Sequence, residues 1–179
     1  LQSLSLSCDV VVQDHPLGMG NAVLKMLSAP AYHDASDILL LWGDLPFIQR
    51  PTLEQTIKIH FKHNNDFTFP TLYSDSAYTL VKRDSYGKIL SVIETRELSN
   101  HKVGHGERDI GMFIFKKNLI FNALNKDLLG KYSKQTKEHG FLYIIKHLVA
   151  QGSKVEALNI ATKLDSISLN KMEDLSDYI

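Results

Sequence analysis

Cys8-Asp-Val-Val-Val-Gln-Asp-His-Pro-Leu-Gly-Met-Gly-Asn-Ala22, followed by Ile38-Leu-Leu-Leu-Trp-Gly-Asp-Leu-Pro46, decides the reading of the fold. The second piece is a strand of four apolar residues that runs into Gly-Asp-x-Pro. An all-apolar strand is what a parallel sheet covered on both faces requires. In such sheets ligands bind beyond the carboxyl ends of the strands. An Asp there, Asp44, can hold a divalent cation, and Gly43 lets a ligand approach the backbone. The first piece offers a polar reader, Gln13, and a glycine-flanked loop, Gly18-Met19-Gly20, that opens a helix. Two neighbouring strand–helix junctions of this kind point to a nucleotide site.

Working outward, Asp9 to Gln13 reads as a buried strand and Gly20 to Leu27 as a short helix, ended by Ser28-Ala29-Pro30. Asp37 to Trp42 is the next strand. Thr52 to His63 is a helix with Leu53, Ile57 and Phe61 on its apolar face and Pro51 at its start. Phe67 to Tyr73 is a strand interrupted by Pro70. Tyr78 to Arg83 and Lys88 to Glu94 form a β-hairpin around Asp84-Ser85-Tyr86-Gly87. Leu98 to Glu107 reads as a mobile loop, Asp109 to Lys116 as a strand and Leu119 to Leu124 as a helix. Phe141 to Gln151 is a helix stopped by Gly152, Val155 to Ile160 a last strand, and Lys171 to Tyr178 a terminal helix. The expected architecture is α/β: a Rossmann-like, mainly parallel mixed sheet with helices on both faces and a small β-hairpin insertion.

The 179 residues suffice for one domain with a proper core. Lys+Arg and Asp+Glu both number 20, so no net charge draws the chain to nucleic acid or to a membrane surface. No apolar run approaches the ~20 residues needed to span a bilayer. The single cysteine, Cys8, excludes an internal disulfide framework and fits a cytoplasmic setting.

The motifs carry a resemblance. Gln13-x-x-x-Leu17-Gly18-Met19-Gly20-Asn21-Ala22 with Trp42-Gly43-Asp44-Leu45-Pro46 resembles the sugar-1-phosphate nucleotidyltransferases, where the motifs read roughly Q-x-x-x-L-G-T-G-H-A and Y-G-D-x-P. The match is closest to the uridylyltransferase domain of bifunctional N-acetylglucosamine-1-phosphate uridylyltransferase, from about Val10 to the C-terminus. The resemblance implies transfer of a nucleotidyl group from a nucleoside triphosphate, UTP, to a sugar 1-phosphate, with Mg²⁺ as cofactor and a nucleotide sugar and pyrophosphate as products. It implies nucleotide contacts from Gln13, Leu17, Gly18, Met19 and Gly43. Asp44 and Asn170 would hold the metal, Asn170 standing where the family has E-V-x-G-V-N. Glu94, in Gly87-Lys88-x-x-x-x-Ile93-Glu94 against the family's G-K-x-x-x-I-x-E, would accept from sugar hydroxyls, with Asp109 and Thr79 beside it. A homo-oligomer is compatible with this reading.

The chain also departs from the pattern. Met19 replaces a threonine, Thr79 a glycine, and Asp109 the asparagine of N-T-G. Of the family's E-Y-Y-x-T-D only Glu138 remains. The L-A-A-G-x-G-T-R-M…P-K loop, which supplies the catalytic Arg and Lys, is not in this sequence. Residues 1–179 therefore read as a glycosyltransferase-A-like domain lacking its N-terminal third, inactive by itself. The alternative is a non-catalytic domain that binds a nucleotide sugar or a partner for regulation. A third reading is a relative using CTP and a non-sugar phosphate.

Other patterns are bland. The glycine loop is neither a P-loop nor a dinucleotide fingerprint, since no Gly-Lys-Ser/Thr follows and Val23 stands at the third glycine's place. His101 and His105 lack the glutamate of a zinc protease. Lys116-Lys117 and Lys131 to Lys137 read as solvated faces.

Overall fold

Residues 8–98 and 104–171 are described by a computed structural model of the chain. Asp37–Leu41 is the first strand, β1, and it pairs antiparallel with β6 (Met112–Lys116), Leu41 opposite Met112. The long β2 (Phe67–Ala77) lies on the other side of β6. Further along, β2 pairs antiparallel with β5 (Gly104–Asp109). β5 and β6 are separated by Ile110-Gly111. Gly111 has φ 79°, and a Cβ on it would lie 2.3 Å from the Trp42 ring, so this bend requires glycine. β7 (Val155–Asn159) runs parallel to β2. The hairpin of β3 (Thr79–Arg83) and β4 (Ile89–Glu94) forms a separate two-stranded sheet.

The expected mainly parallel, Rossmann-like sheet is thereby corrected to a mixed one. Only β2–β7 pairs parallel; β1–β6, β2–β6 and β2–β5 are antiparallel, with β6 lying between β1 and β2 and running against both. The apolar run at β1 is corrected too. With β6 as its one strand neighbour among the described residues, β1 is an edge, and Leu39 and Leu41 stay 37% and 43% exposed.

Alternation along β2 and β6 divides the core. Phe67, Phe69, Phe113 and Phe115 face Phe141, Ile120, Leu124, Ile144 and Leu148, from α3 (Lys117–Asn125), α4 (Ile144–Ala150) and the turn before α4. Phe67 and Phe115 stack at 5.7 Å. Each fully buried Phe contributes about 1.5–3 kcal/mol. On the opposite face Leu72, Ile110 and Met112 meet Leu53 of α2 (Arg50–His63). Helices thus cover both faces, as expected.

Four local expectations change. Residues 9–13 form no strand, and Val10 and Val12 are 81% and 67% exposed. Gly104 to Glu107, read as loop, lies in β5 because it pairs with β2. α2 buries Thr52, Thr56 and His60 while Phe61 is 58% exposed; the polar face wins because His60 bonds Thr68 and Asp37. Lys117 is buried, its ammonium bonded to the Tyr32 carbonyl at 2.6 Å. The terminal helix expected from Lys171 falls almost wholly outside the described residues.

Candidate functional site

The glycine loop opens α1 (Met19–Lys25). Gln13 fastens the loop from below, its Nε2 donating to Asn21 Oδ1 at 2.8 Å and to the Gly18 carbonyl at 3.2 Å. Its amide nitrogen is thus engaged, and the amide oxygen is the group left to meet a ligand. The loop lies directly on the segment 138–140. His139 N–H donates to the Leu17 carbonyl at 2.8 Å, and Gly20 N–H to the His139 carbonyl at 2.9 Å. A Cβ on Gly20 would stand 2.1 Å from the Gly140 carbonyl, and one on Gly18 2.5 Å from that of His139. Both glycines are required by this backbone contact, whatever else the loop binds.

Above that contact lies a cavity of about 960 Å³, lined among others by Gln13, Gly18, Met19, Glu94, His139 and Tyr143. Such a volume falls in the range of small-molecule sites. His139 is buried, and its Nε2 sits 3.3 Å from the Tyr143 hydroxyl. Burial, with Lys131 nearby, pushes its pKa down to about 4, so the imidazole is neutral. Burial likewise lifts the Tyr143 phenol to about 12.

A smaller cavity of about 540 Å³ adjoins the first through Met19 and Ala22, and it also holds Trp42, Gly43, Asp44 and Asn170. Asp44 follows the carboxyl end of β1. A Cβ on Gly43 would meet nothing within 4 Å, so glycine leaves this floor open. Ser168 Oγ donates to Asp44 Oδ2 at 2.5 Å, Leu169 N–H to the Asp44 carbonyl at 2.9 Å, and Asn170 Nδ2 to Ser168 Oγ at 3.0 Å. The 162–170 segment is itself anchored by Asp165, which is fully buried. Asp165 accepts from Gln49 N–H at 2.7 Å and from the Thr52 and Thr162 hydroxyls at 3.0 and 2.7 Å. Burial raises its pKa, but these donors outweigh burial and hold the carboxyl below the usual range.

The sugar-side residues divide. Glu94 lines the large cavity with one oxygen held by Arg96 Nε at 2.5 Å. Thr79, directly across the hairpin from Glu94, donates to Asp109 at 2.5 Å, and Gly111 N–H reaches the other Asp109 oxygen at 2.9 Å. Both Thr79 and Asp109 are buried and line neither cavity, and burial pushes the Asp109 carboxyl up. The fold thus gathers Gln13, Gly18, Met19 and Glu94 in one cavity and Met19, Gly43, Asp44 and Asn170 in the next. Leu17 contributes only its carbonyl to the loop contact. His139 and Tyr143 escape sequence reasoning because no local spacing reveals that 138–143 folds onto the glycine loop. Asp165 could have been found as an acid following Thr162 in a capping arrangement.

A one-carboxylate, one-amide set suits Mg²⁺, which is commonly bound through one or two carboxylates together with substrate phosphates. Among the described residues no group of three His, Cys, Asp or Glu could hold a metal, so a more elaborate protein cage is not offered there. No helix of the described residues is long and apolar enough to cross a membrane.

No family model matches the chain. Over 93% of its length it is 28% identical to Bifunctional protein GlmU of Thermodesulfovibrio yellowstonii and 25% identical to that of Carboxydothermus hydrogenoformans. Over 66% of its length it is 32% identical to Bifunctional protein GlmU of Thermosipho melanesiensis. The chain spans 36% of the length of the first two relatives. The crystal structure of the nucleoside-diphosphate-sugar pyrophosphorylase from Vibrio cholerae RC9 shares its fold, with TM-score 0.65 at 14% identity, covering 93% of this chain and 66% of that one. Motifs, relatives and fold agree, and this chain is a relative of the sugar-1-phosphate nucleotidyltransferases, similar along nearly its whole length to one part of Bifunctional protein GlmU.

Proposed function

We propose that the chain binds the nucleotide and the sugar phosphate in a nucleotidyl transfer that yields a UDP-sugar and pyrophosphate from UTP and a sugar 1-phosphate. One observation carries this reading: the glycine-loop cavity and the Asp44 cavity adjoin through Met19 and Ala22. A base and a sugar can then occupy the first while the phosphates that join them lie against the second. The Gln13 amide oxygen accepts from the base, Gly18 sets the loop against 138–140 beside it, and Gly43 leaves the neighbouring floor open. Glu94 accepts from sugar hydroxyls. Thr79 and Asp109 hold the hairpin that carries Glu94. Asp44 and Asn170 would hold Mg²⁺, which supplies neutralisation of phosphate charge. In the transfer an oxygen of the sugar phosphate bonds to the α-phosphorus as the bond to the pyrophosphate leaving group breaks. A cytoplasmic setting accompanies this reading.

Calorimetric titration of UDP-N-acetylglucosamine with and without Mg²⁺, in the chain and in Asp44→Ala, tests the proposal, together with pyrophosphate release from UTP and N-acetylglucosamine 1-phosphate. Binding that weakens without Mg²⁺ and in Asp44→Ala supports it; absence of binding to any nucleotide or nucleotide sugar overturns it. A second reading, a non-catalytic nucleotide-sugar-binding domain, is favoured by the lack of any Lys or Arg among the described residues lining the Asp44 cavity. Binding that survives both Asp44→Ala and Mg²⁺ removal, without pyrophosphate release, would select it.

A further inference from the structure

β5 carries three consecutive charged residues, and only two of them have matched partners. Glu107 takes the Thr71 hydroxyl at 2.6 Å and the Arg83 guanidinium at 2.7 Å, while Asp109 takes Thr79 and Gly111. Alternation turns Arg108 to the opposite face, across from Leu72, where the 162–170 segment lies. Arg108 is only 8% exposed. Its Nη1 reaches the Asp109 carbonyl at 3.3 Å and its Nη2 the Ser166 carbonyl at 3.4 Å, both long bonds. Its Nε–H has no partner, and among the described residues it is the one buried side-chain polar atom in that condition. The Tyr78 ring covers the guanidinium, its centroid 4.8 Å from Cζ. No carboxylate forms an ion pair with it among the described residues.

A guanidinium is always charged and offers five donors shaped for a bidentate oxyanion. Buried donors of this kind are normally paired, and the unpaired Nε–H marks a missing acceptor. The position says which acceptor. Arg108 is bonded to Ser166, two residues before Ser168, the residue that bonds Asp44. On its own strand it adjoins Asp109, which is bonded to Thr79, the hairpin partner of Glu94. Its guanidinium thus faces the 162–170 segment that carries Ser168 and Asn170, behind the Tyr78 ring and outside the lining of either cavity as the chain stands.

We propose that Arg108 is an anion-binding residue of this site, taking a phosphate oxygen of the substrate on its unpaired Nε–H once the half-exposed Tyr78 ring swings aside. The proposal rests on the phosphate-binding reading of the Asp44 cavity. It gives the Asp44 cavity a cation that its own lining lacks among the described residues, and it makes Tyr78 a gate over that cation.

The test is ¹⁵N NMR of the arginine Nε–H groups of the whole chain, Arg50, Arg83, Arg96 and Arg108, during titration with inorganic pyrophosphate in the presence of Mg²⁺. The Arg108 signal is assigned by through-bond correlation and by its loss in Arg108→Lys. Pyrophosphate is expected to move that resonance downfield and slow its exchange with solvent, while Arg50 stays still. Arg108→Gln should weaken pyrophosphate about tenfold or more, as loss of a charged hydrogen-bond donor does, and leave uridine binding within about twofold. Tyr78→Ala should keep pyrophosphate binding. An Arg108 signal unmoved at saturating pyrophosphate, or no pyrophosphate binding at all, overturns the proposal. Should pyrophosphate move Arg108 while neither uridine nor UDP-N-acetylglucosamine binds, the anion site stands and the nucleotidyltransferase reading falls. The wild-type titration decides the matter even if Arg108→Gln fails to fold.

Discussion

Ser168 donates its hydroxyl to Asp44 across 2.5 Å, joining residues 124 positions apart in the chain. The bond occupies one Asp44 oxygen and fixes the carboxylate beside Asn170 at the mouth of the smaller cavity. Removing the hydroxyl leaves the charge in place, whereas removing the carboxylate takes the cation's main ligand. Ser168→Ala should therefore weaken UDP-sugar binding by roughly ten- to a hundredfold, the size of one charge-assisted hydrogen bond, while leaving its Mg²⁺ dependence in place. Asp44→Ala should abolish the Mg²⁺ dependence. Calorimetry of both variants checks the order, and equal losses would contradict it.

Gly20→Ala should destabilise the fold without any ligand present. The added methyl would meet the Gly140 carbonyl at 2.1 Å, a backbone atom that cannot step aside. A loss of about 1–3 kcal/mol follows from such overpacking. Urea unfolding monitored by circular dichroism measures it, and an unchanged midpoint would show that the loop does not rest on 138–140.

His139 gives the fold a pH dependence of defined sign. Its pKa is about 4 in the folded chain against 6.5 in an ordinary histidine. Between those values the unfolded chain binds more protons than the folded one. The contribution from His139 is thus full above pH 6.5 and declines as pH falls toward 4. The urea midpoint of the chain should fall faster over this window than that of His139→Gln, and parallel curves would refute the assignment.

Exposure along β1 predicts unequal tolerance. Leu41 is 43% exposed on a strand that is an edge among the described residues, so Leu41→Lys should cost no more than about 0.5 kcal/mol. Phe113 is fully buried among Trp42, Phe67, Phe69 and Phe141, so Phe113→Ala should cost about 3–5 kcal/mol. Thermal unfolding of the two variants separates an edge strand from a doubly covered one.

Periodicity and turn chemistry located most elements, because α1, α2, the β3–β4 hairpin and β7 each depend on a local pattern. The exceptions share a cause. Residues 9–13 look like a strand by composition, yet strand formation needs a partner, and they have none among the described residues. β5 looks like a loop around Gly104 and Gly106, yet pairing with β2 makes it a strand. The apolar face of α2 was read from Leu53, Ile57 and Phe61, but buried hydrogen bonds from His60 turned Thr52, Thr56 and His60 inward.

By itself the sequence determined an α/β chain, its glycine loop, the Gly-Asp-x-Pro junction and a kinship with nucleotidyltransferases. These depend on short motifs whose glycines and acids are needed where they stand. Only the tertiary structure decided that β1 is an edge, that Asp44 and Asn170 share a cavity, and that Asp109 is locked to Thr79 rather than turned to a pocket. Only it showed that the Nε–H of the buried Arg108 has no partner. Strand partners, burial and hydrogen-bond satisfaction are set by residues distant in sequence, so no local pattern can encode them.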